Sequence, residues 1–240
     1  HMIPSWLKRE SMMLGAEGVE KLRRSTVLVA GLGGVGSFAA EAVARAGVGR
    51  LVLIDNDKVC ETNLNRQLPA LHSTIGRLKT DVMASRLRDI NPEMEVITRN
   101  EYIDYDNVAA VVGQGIDFVI DAIDTLGPKI ALILHCLNSG IPLVSSMGAG
   151  AKWDVTKVRI ADVSKSFNCP LAAMLRKRLR YKGVKRGFPV VFSEELPDES
   201  AVVEVEGETN KRSRVGTISY LTPVFGCACA QVCIRHIVFL

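Results

Sequence analysis

A chain of 240 residues with 48% hydrophobic and 23% charged residues holds enough apolar material for one large α/β domain, or a domain with an appendage, and excludes global disorder. A formal net charge of +4 is too small to imply nucleic-acid binding by itself, so the placement of charge matters more than its sum. The cysteines Cys60, Cys136, Cys169, Cys227, Cys229 and Cys233 form no Cys-x-x-Cys pair, so no structural zinc is expected, and a chain of this size needs no disulfide framework.

The segment from Ile3 to Arg9 lacks the apolar core of a secretory signal, and a cytoplasmic location is expected. Residues 3–24 read as a helical lead-in with Leu14, Val19 and Leu22 on its core side. Thr26–Ala30 is an apolar strand that runs into Gly31-Leu-Gly33-Gly34-Val-Gly36. Val35, Phe38, Ala39, Ala42, Val43 and Ala46 then recur at helical spacing, and Gly47 stops that helix. A second apolar strand from Leu51 ends on Asp55-Asn-Asp57. The whole is one β-α-β unit with a glycine turn at its first strand-to-helix junction. Such glycines let the backbone approach a phosphate, the helix N-terminus offers unpaired N–H groups, and Asp55 lies where a carboxylate can accept from ribose hydroxyls. Nicotinamide dehydrogenases share this unit, so it leaves the nucleotide open.

Residues 56–76 form a long polar loop holding Asn63, Asn65, Arg66, Gln67 and Pro69. A helix from Leu78 to Ile90 follows, ended by Asn91-Pro92, then strands at Glu95–Thr98 and Asp117–Asp121. Leu126–Ser139 reads as a helix with Pro128 in its first turn, and Pro142–Ser146 as another strand. Alternating apolar strands and helices predict an α/β, Rossmann-like fold, a mostly parallel sheet with helices on both faces. After Ala151 the pattern changes to a C-terminal extension with antiparallel strands and helices. Val155–Asp162 alternates as a half-exposed strand does. Pro170 opens a helix with Leu171, Met174, Leu175 and Leu179 as its apolar stripe, and Thr222-Pro223 looks like an N-cap and N1 pair starting a last, largely apolar helix. Gln231, Arg235 and His236 interrupt that helix, which favours a packing or dimer helix over a membrane span. The expected division is a nucleotide-binding part, residues 2–150, and a substrate-binding, dimer-supporting part, 151–240, continuous with it.

Three features beyond the glycine turn carry chemistry. Arg66, with Asn63 and Gln67 in one loop, can fork onto phosphate oxygens, or Arg66 can simply pair with Asp57 at the surface. Lys79 at a helix start can neutralise charge on leaving phosphates, although such a lysine is often only solvated. Asp121 and Asp124 stand at the carboxyl end of a strand, where an acid can hold Mg²⁺, and Asp124 can also cap the helix at Leu126. Farther on, seven of the eleven residues from Arg176 to Arg186 are basic (Arg176, Lys177, Arg178, Arg180, Lys182, Lys185 and Arg186), with Tyr181 among them. That pattern suits an RNA backbone and an unstacked base, or else a solvated face paired with the acidic stretch from Glu194 to Glu208.

Taken together, Gly31-x-Gly33-Gly34-x-Gly36, Asp55-x-Asp57, Asn63-Leu-Asn65-Arg66-Gln67, Lys79 and Asp121-x-x-Asp124 resemble the adenylating domain of the ubiquitin-activating-enzyme superfamily. That superfamily includes the molybdopterin and thiamine biosynthesis adenylating enzymes, and the match covers residues 9–150. The resemblance implies ATP-dependent activation of a carboxylate. In it Asp55 would hold ribose, Asn63, Arg66 and Lys79 would contact phosphates, Asp124 would bind Mg²⁺, and Arg9 would reach into a partner subunit's site.

Residues 142–150, 162–180, Val191-Phe-Ser193 and Gly216-Thr-Ile-Ser219 resemble one subfamily, the tRNA threonylcarbamoyladenosine dehydratases. That resemblance implies a cytoplasmic homodimer acting on tRNA, activating the threonyl carboxylate of a modified adenosine so that the attached carbamoyl group closes a ring onto it. No enzyme nucleophile is then needed, since the attacking group is tethered to the electrophile. Neither DNA nor a membrane is an expected partner. The rivals are an enzyme that adenylates a ubiquitin-like sulfur carrier, with a sulfur-transfer protein as partner, an NAD-binding redox protein, and a non-catalytic nucleotide sensor.

Overall fold

The computed structural model describes residues 2–204 and 213–240. Its strands are β1 (Thr26–Ala30), β2 (Arg50–Ile54), β3 (Glu95–Arg99), β4 (Phe118–Asp121), β5 (Leu143–Ser146), β6 (Val158–Asp162) and β7 (Pro189–Ser193), with a short antiparallel pair, β8 (Val202–Glu204) and β9 (Ser213–Val215). The first seven make one sheet in the order β3-β2-β1-β4-β5-β7-β6, parallel throughout except for β6, which runs against β7. Strand β1 is buried at every position, as a central parallel strand covered on both faces must be, and this is why Thr26-Val-Leu-Val-Ala30 is an unbroken apolar run rather than an alternating one.

Helices α1 (Lys8–Arg24), α2 (Gly36–Arg45), α3 (Lys79–Ile90) and α7 (Leu221–Phe239) cover one face around a core that includes Leu22, Val43, Leu87, Phe225 and Cys229. Helices α4 (Val108–Val112), α5 (Leu126–Ser139) and α6 (Pro170–Tyr181) cover the other, around Val111, Ile133, Leu175 and Leu179. The sheet therefore lies between two helical layers, and the antiparallel strands expected after Ala151 are present in β6 and in the β8–β9 pair.

Strand β1 lies between β2 and β4. The chain winds outward through β2 and β3, then returns to build β4 and β5 on the other side. The loops leaving β1 and β4 consequently part at their carboxyl ends, the crevice in which open α/β sheets bind ligands.

Several local expectations change. Helix α7 begins at Leu221 with Tyr220 as its cap residue, so Thr222 and Pro223 lie inside the first turn and Thr222 caps nothing. Val155–Lys157 is a 3-10 turn, and the strand begins only at Val158. Met174 is exposed, and the buried stripe of α6 is Ala172, Leu175 and Leu179. Helix α7 is long and apolar enough to cross a membrane, but its buried residues, Phe225, Gly226, Cys229, Ala230 and Cys233 among them, pack into the core over the sheet. It approaches α2 closely: a methyl group at Gly226 would stand 2.5 Å from the Val35 carbonyl oxygen.

Candidate active site

The glycine turn sits at the crevice and is built so tightly that its glycines are not interchangeable with other residues. Gly31 has φ +88°, where only glycine is unstrained, and its N–H donates to the Ile54 carbonyl at 2.8 Å. A methyl group there would stand 2.6 Å from the Ala122 carbonyl oxygen of the loop after β4. At Gly36, the first residue of α2, a methyl group would collide with the carbonyl of Gly31. Gly33 faces the Gln67 amide, and Gly34 faces Thr222 of α7.

Asp55, just beyond β2, leans back onto this turn. Its Oδ2 accepts the Leu32 N–H at 2.7 Å and its Oδ1 accepts the Asp57 N–H at 2.7 Å. Burial pushes its carboxyl above the ordinary carboxylate range, against the opposing pull of the Lys79 charge and the two N–H donors. Each oxygen keeps a lone pair for a further donor, which a ribose hydroxyl would satisfy.

The loop after Asp57 is tied at its ends, since Val59 N–H donates to Arg77 O and Gly76 N–H to Val59 O, both at 2.8 Å. That closure brings Lys79, the first residue of α3, back beside Asp57, with Nζ 3.6 Å from Asp57 Oδ2. The Lys79 side chain is only 7% exposed whereas that of Asp57 is 66% exposed. Lys79 is thus a buried cation rather than the exposed cleft residue the sequence suggests, and it is Lys79, not Arg66, that pairs with Asp57. The Arg66 Nη1 donates instead to Thr62 O at 3.0 Å and Asn65 Oδ1 at 2.8 Å, leaving Nε and Nη2 without a partner among the described residues. Asn63 is buried and holds the loop's own backbone, its Oδ1 accepting the Cys60 N–H at 3.0 Å.

On the other side of the crevice, Asp121 ends β4 fully buried. It faces Lys129 Nζ at 2.9 Å and accepts from Ser145 Oγ at 2.6 Å. Lys129, also fully buried, donates to the Ile123 carbonyl at 2.8 Å. Sequence reading missed Lys129, although a lysine between Pro128 and Ile130 in a helix otherwise apolar around it is the signal that marks it. Asp124 is exposed on the loop that this pair holds. The cap residue of α5 is Thr125, whose Oγ1 donates to Asp124 Oδ1 at 3.3 Å.

The remaining candidates lie elsewhere. Leu7 packs on Gly47, at the amino ends of the strands, so Arg9 is exposed at the opposite end of the sheet from its own glycine turn. Lys177, Arg180, Tyr181, Lys182, Lys185 and Arg186 are exposed, whereas Arg176 is tied to Ser166 Oγ at 2.5 Å. Lys185 and Arg186 precede β7 and so also lie at the amino-end side of the sheet. Among the described residues, none of the seven basic side chains forms a salt bridge with the acidic stretch, of which Glu206 and Glu208 lie outside the described residues. Cys169 is buried at the cap of α6. Burial pushes the thiols of Cys136 and Cys229 up to about 12 and raises that of Cys233 as well, which makes all three inert near neutrality.

The model of the ThiF family matches residues 7–239. The tRNA threonylcarbamoyladenosine dehydratase of Bacillus subtilis is 51% identical over 189 residues, which cover 79% of this chain and 74% of that protein. The Escherichia coli protein of the same name is 40% identical, over 92% of this chain and 90% of its own. The crystal structure of the Escherichia coli dehydratase in complex with ATP superposes with a TM-score of 0.88 at 36% identity, covering 99% of this chain and 97% of that one.

Proposed function

The chain belongs to the ThiF family, and from that premise we propose that it is an ATP-dependent tRNA-modifying enzyme that dehydrates threonylcarbamoyladenosine to a cyclic form. The observation that carries this reading is the convergence of the glycine turn, Asp55, the buried Lys79 and the loop that carries Arg66, which reaches the turn through Gln67 beside Gly33.

The glycine turn and the α2 N-terminus receive the phosphate chain of ATP, and Asp55 accepts from the ribose. The threonyl carboxylate attacks the α-phosphorus, the bond to the β-phosphate oxygen breaks, and pyrophosphate leaves. Lys79 and Arg66 stabilise the negative charge that gathers on the phosphates. Lys79 is held by a carboxylate at a loose 3.6 Å, so it can turn toward a phosphate without abandoning a strong bond. The carbamoyl group on the same side chain then attacks the acyl carbon, AMP departs, and the net change in the nucleoside is the loss of one water. The tether supplies a high effective concentration, which is why no nucleophilic cysteine is required.

Mg²⁺ would neutralise phosphate charge when bound, and Asp124 is the residue that would hold it. Among the described residues no three acidic, His or Cys side chains converge into a cage. Mg²⁺ commonly binds through one or two carboxylates together with phosphates and water, so a single carboxylate such as Asp124 would be its protein ligand here. Arg9 would act across a homodimer, in the partner subunit's crevice, because its own lies at the other end of the sheet. The exposed run from Lys177 to Arg186 would take the tRNA backbone. A cytoplasmic location fits a tRNA substrate.

The test is to incubate the protein with ATP, Mg²⁺ and tRNA bearing threonylcarbamoyladenosine. The expected result is a nucleoside lighter by one water and one AMP per event. Unchanged nucleoside together with pyrophosphate exchange stimulated by a ubiquitin-like sulfur carrier would replace this reading with its nearest rival.

A further inference from the structure

Thr222 is the residue that neither the sequence pattern nor the nucleotide reading absorbs. It is 5% exposed, and its Oγ1 finds no hydrogen-bond partner among the described residues. A buried threonine hydroxyl in a helix ordinarily bonds to the carbonyl one turn earlier. Thr222 is the second residue of α7, so that carbonyl belongs to Ile218, ahead of the helix. Leaving a buried hydroxyl unpaired is unfavourable, and a native chain that keeps one has a use for it.

The hydroxyl is aimed at the glycine turn. A methyl group placed on Gly34 would lie 2.7 Å from Thr222 Oγ1, so Gly34 is glycine partly to admit this side chain. Gly34 stands two residues before α2, whose N-terminus presents free N–H groups at the same place. On the neighbouring position the pattern repeats. The Gln67 amide lies beside Gly33, with a methyl group there 3.5 Å from Nε2, and Gln67 Oε1 is buried and also unpartnered among the described residues. Two separate segments, the loop after β2 and the start of α7, thus each bring an unsatisfied polar atom to the same turn.

We propose that Thr222 is a nucleotide-binding residue, its hydroxyl donating to the phosphate chain at the glycine turn, so that α7 completes a site otherwise built from segments that precede β5. This rests on the ATP reading above. It adds a ligand from the C-terminal extension, and the orphan hydroxyl becomes the mark of a site complete only when filled.

The experiment measures ATP binding by calorimetry and thermal unfolding without nucleotide, on the full chain. Thr222→Val keeps the shape and removes only the hydroxyl. Its expected effect is roughly tenfold weaker ATP binding, the loss of one hydrogen bond to a charged group, with a melting temperature equal to or above that of the parent. Thr222→Ser and Thr222→Ala form a second pair, both lacking the methyl, of which only the serine should bind ATP as the parent does. Equal ATP affinity for valine and threonine, or for alanine and serine, overturns the proposal while leaving the ATP reading intact. A parent chain that binds no ATP sinks both, and the two failures are told apart by that measurement alone.

Discussion

Two lysine–aspartate pairs flank the crevice, and they are opposites. Lys129 and Asp121 are both 0% exposed and 2.9 Å apart, with Ser145 Oγ and the Ile123 N–H donating to the carboxylate and the Ile123 carbonyl accepting from the ammonium. Lys79 and Asp57 are 3.6 Å apart, the lysine buried and the aspartate in water. The first pair is closed, because both charges are buried and hydrogen-bonded and neither can leave without stranding the other. The second is open, because water solvates Asp57 whether or not Lys79 stays. The same two residue types therefore fix a loop on one side of the crevice and offer a movable cation on the other.

The sharpest way to break this contrast is to remove the closed cation. Lys129→Met should cost about 3–5 kcal/mol of stability in chemical denaturation, because Asp121 is left charged and buried. Adding Asp121→Asn should return most of that loss. Wild-type stability in the single variant would mean that the pair is not closed in solution. At the open pair the balance inverts. Lys79→Ala should lower turnover on modified tRNA by about 10²–10³-fold, with a smaller stability loss than Lys129→Met, because its partner Asp57 stays solvated. A large stability loss with modest kinetic change would show that Lys79 is structural.

The contrast extends to exposed basic residues that form no salt bridge among the described residues. Replacing Lys177, Arg180 and Lys182 with glutamine should weaken tRNA binding and lower the slope of log affinity against log salt by about 2. An unchanged slope would return those residues to a solvated face. Smallest in consequence is the thiol pattern. Cys60 and Cys227 are exposed and should be alkylated in the native protein, whereas Cys136, Cys229 and Cys233 should react only after unfolding. Counting labels by mass spectrometry settles it, and early labelling of Cys229 would mean that α7 opens.

Much of the architecture was legible because it follows from local chemistry. The run Thr26–Ala30 has to be a central strand, and Gly31 and Gly36 have to be glycines. The types of Asp55, Arg66 and Lys79 marked them as candidates without showing their partners. What stayed hidden depends on tertiary contact. Helix α4 spans only Val108–Val112, too short for a period to register. Arg66 and Lys79 compete for Asp57, and only closure of the loop decides between them in favour of Lys79. Thr222-Pro223 mimics a helix start because threonine and proline favour caps and first turns alike, while the cap itself falls two residues earlier, on Tyr220.

The contact between α2 and α7 has a consequence for heredity. Gly34 makes room for Thr222, and Gly226 makes room for Val35 and Phe38, where a methyl group would come within 2.5 Å of the Val35 carbonyl oxygen and 2.9 Å of the Phe38 Cβ. The turn before α2 and helix α7 have each given up a side chain so that the facing segment can keep one. Positions almost two hundred residues apart are thereby bound into a single unit of inheritance. A descendant that acquires a larger residue at 34 must shrink 222 in the same lineage, and the two ends of the chain drift together or not at all.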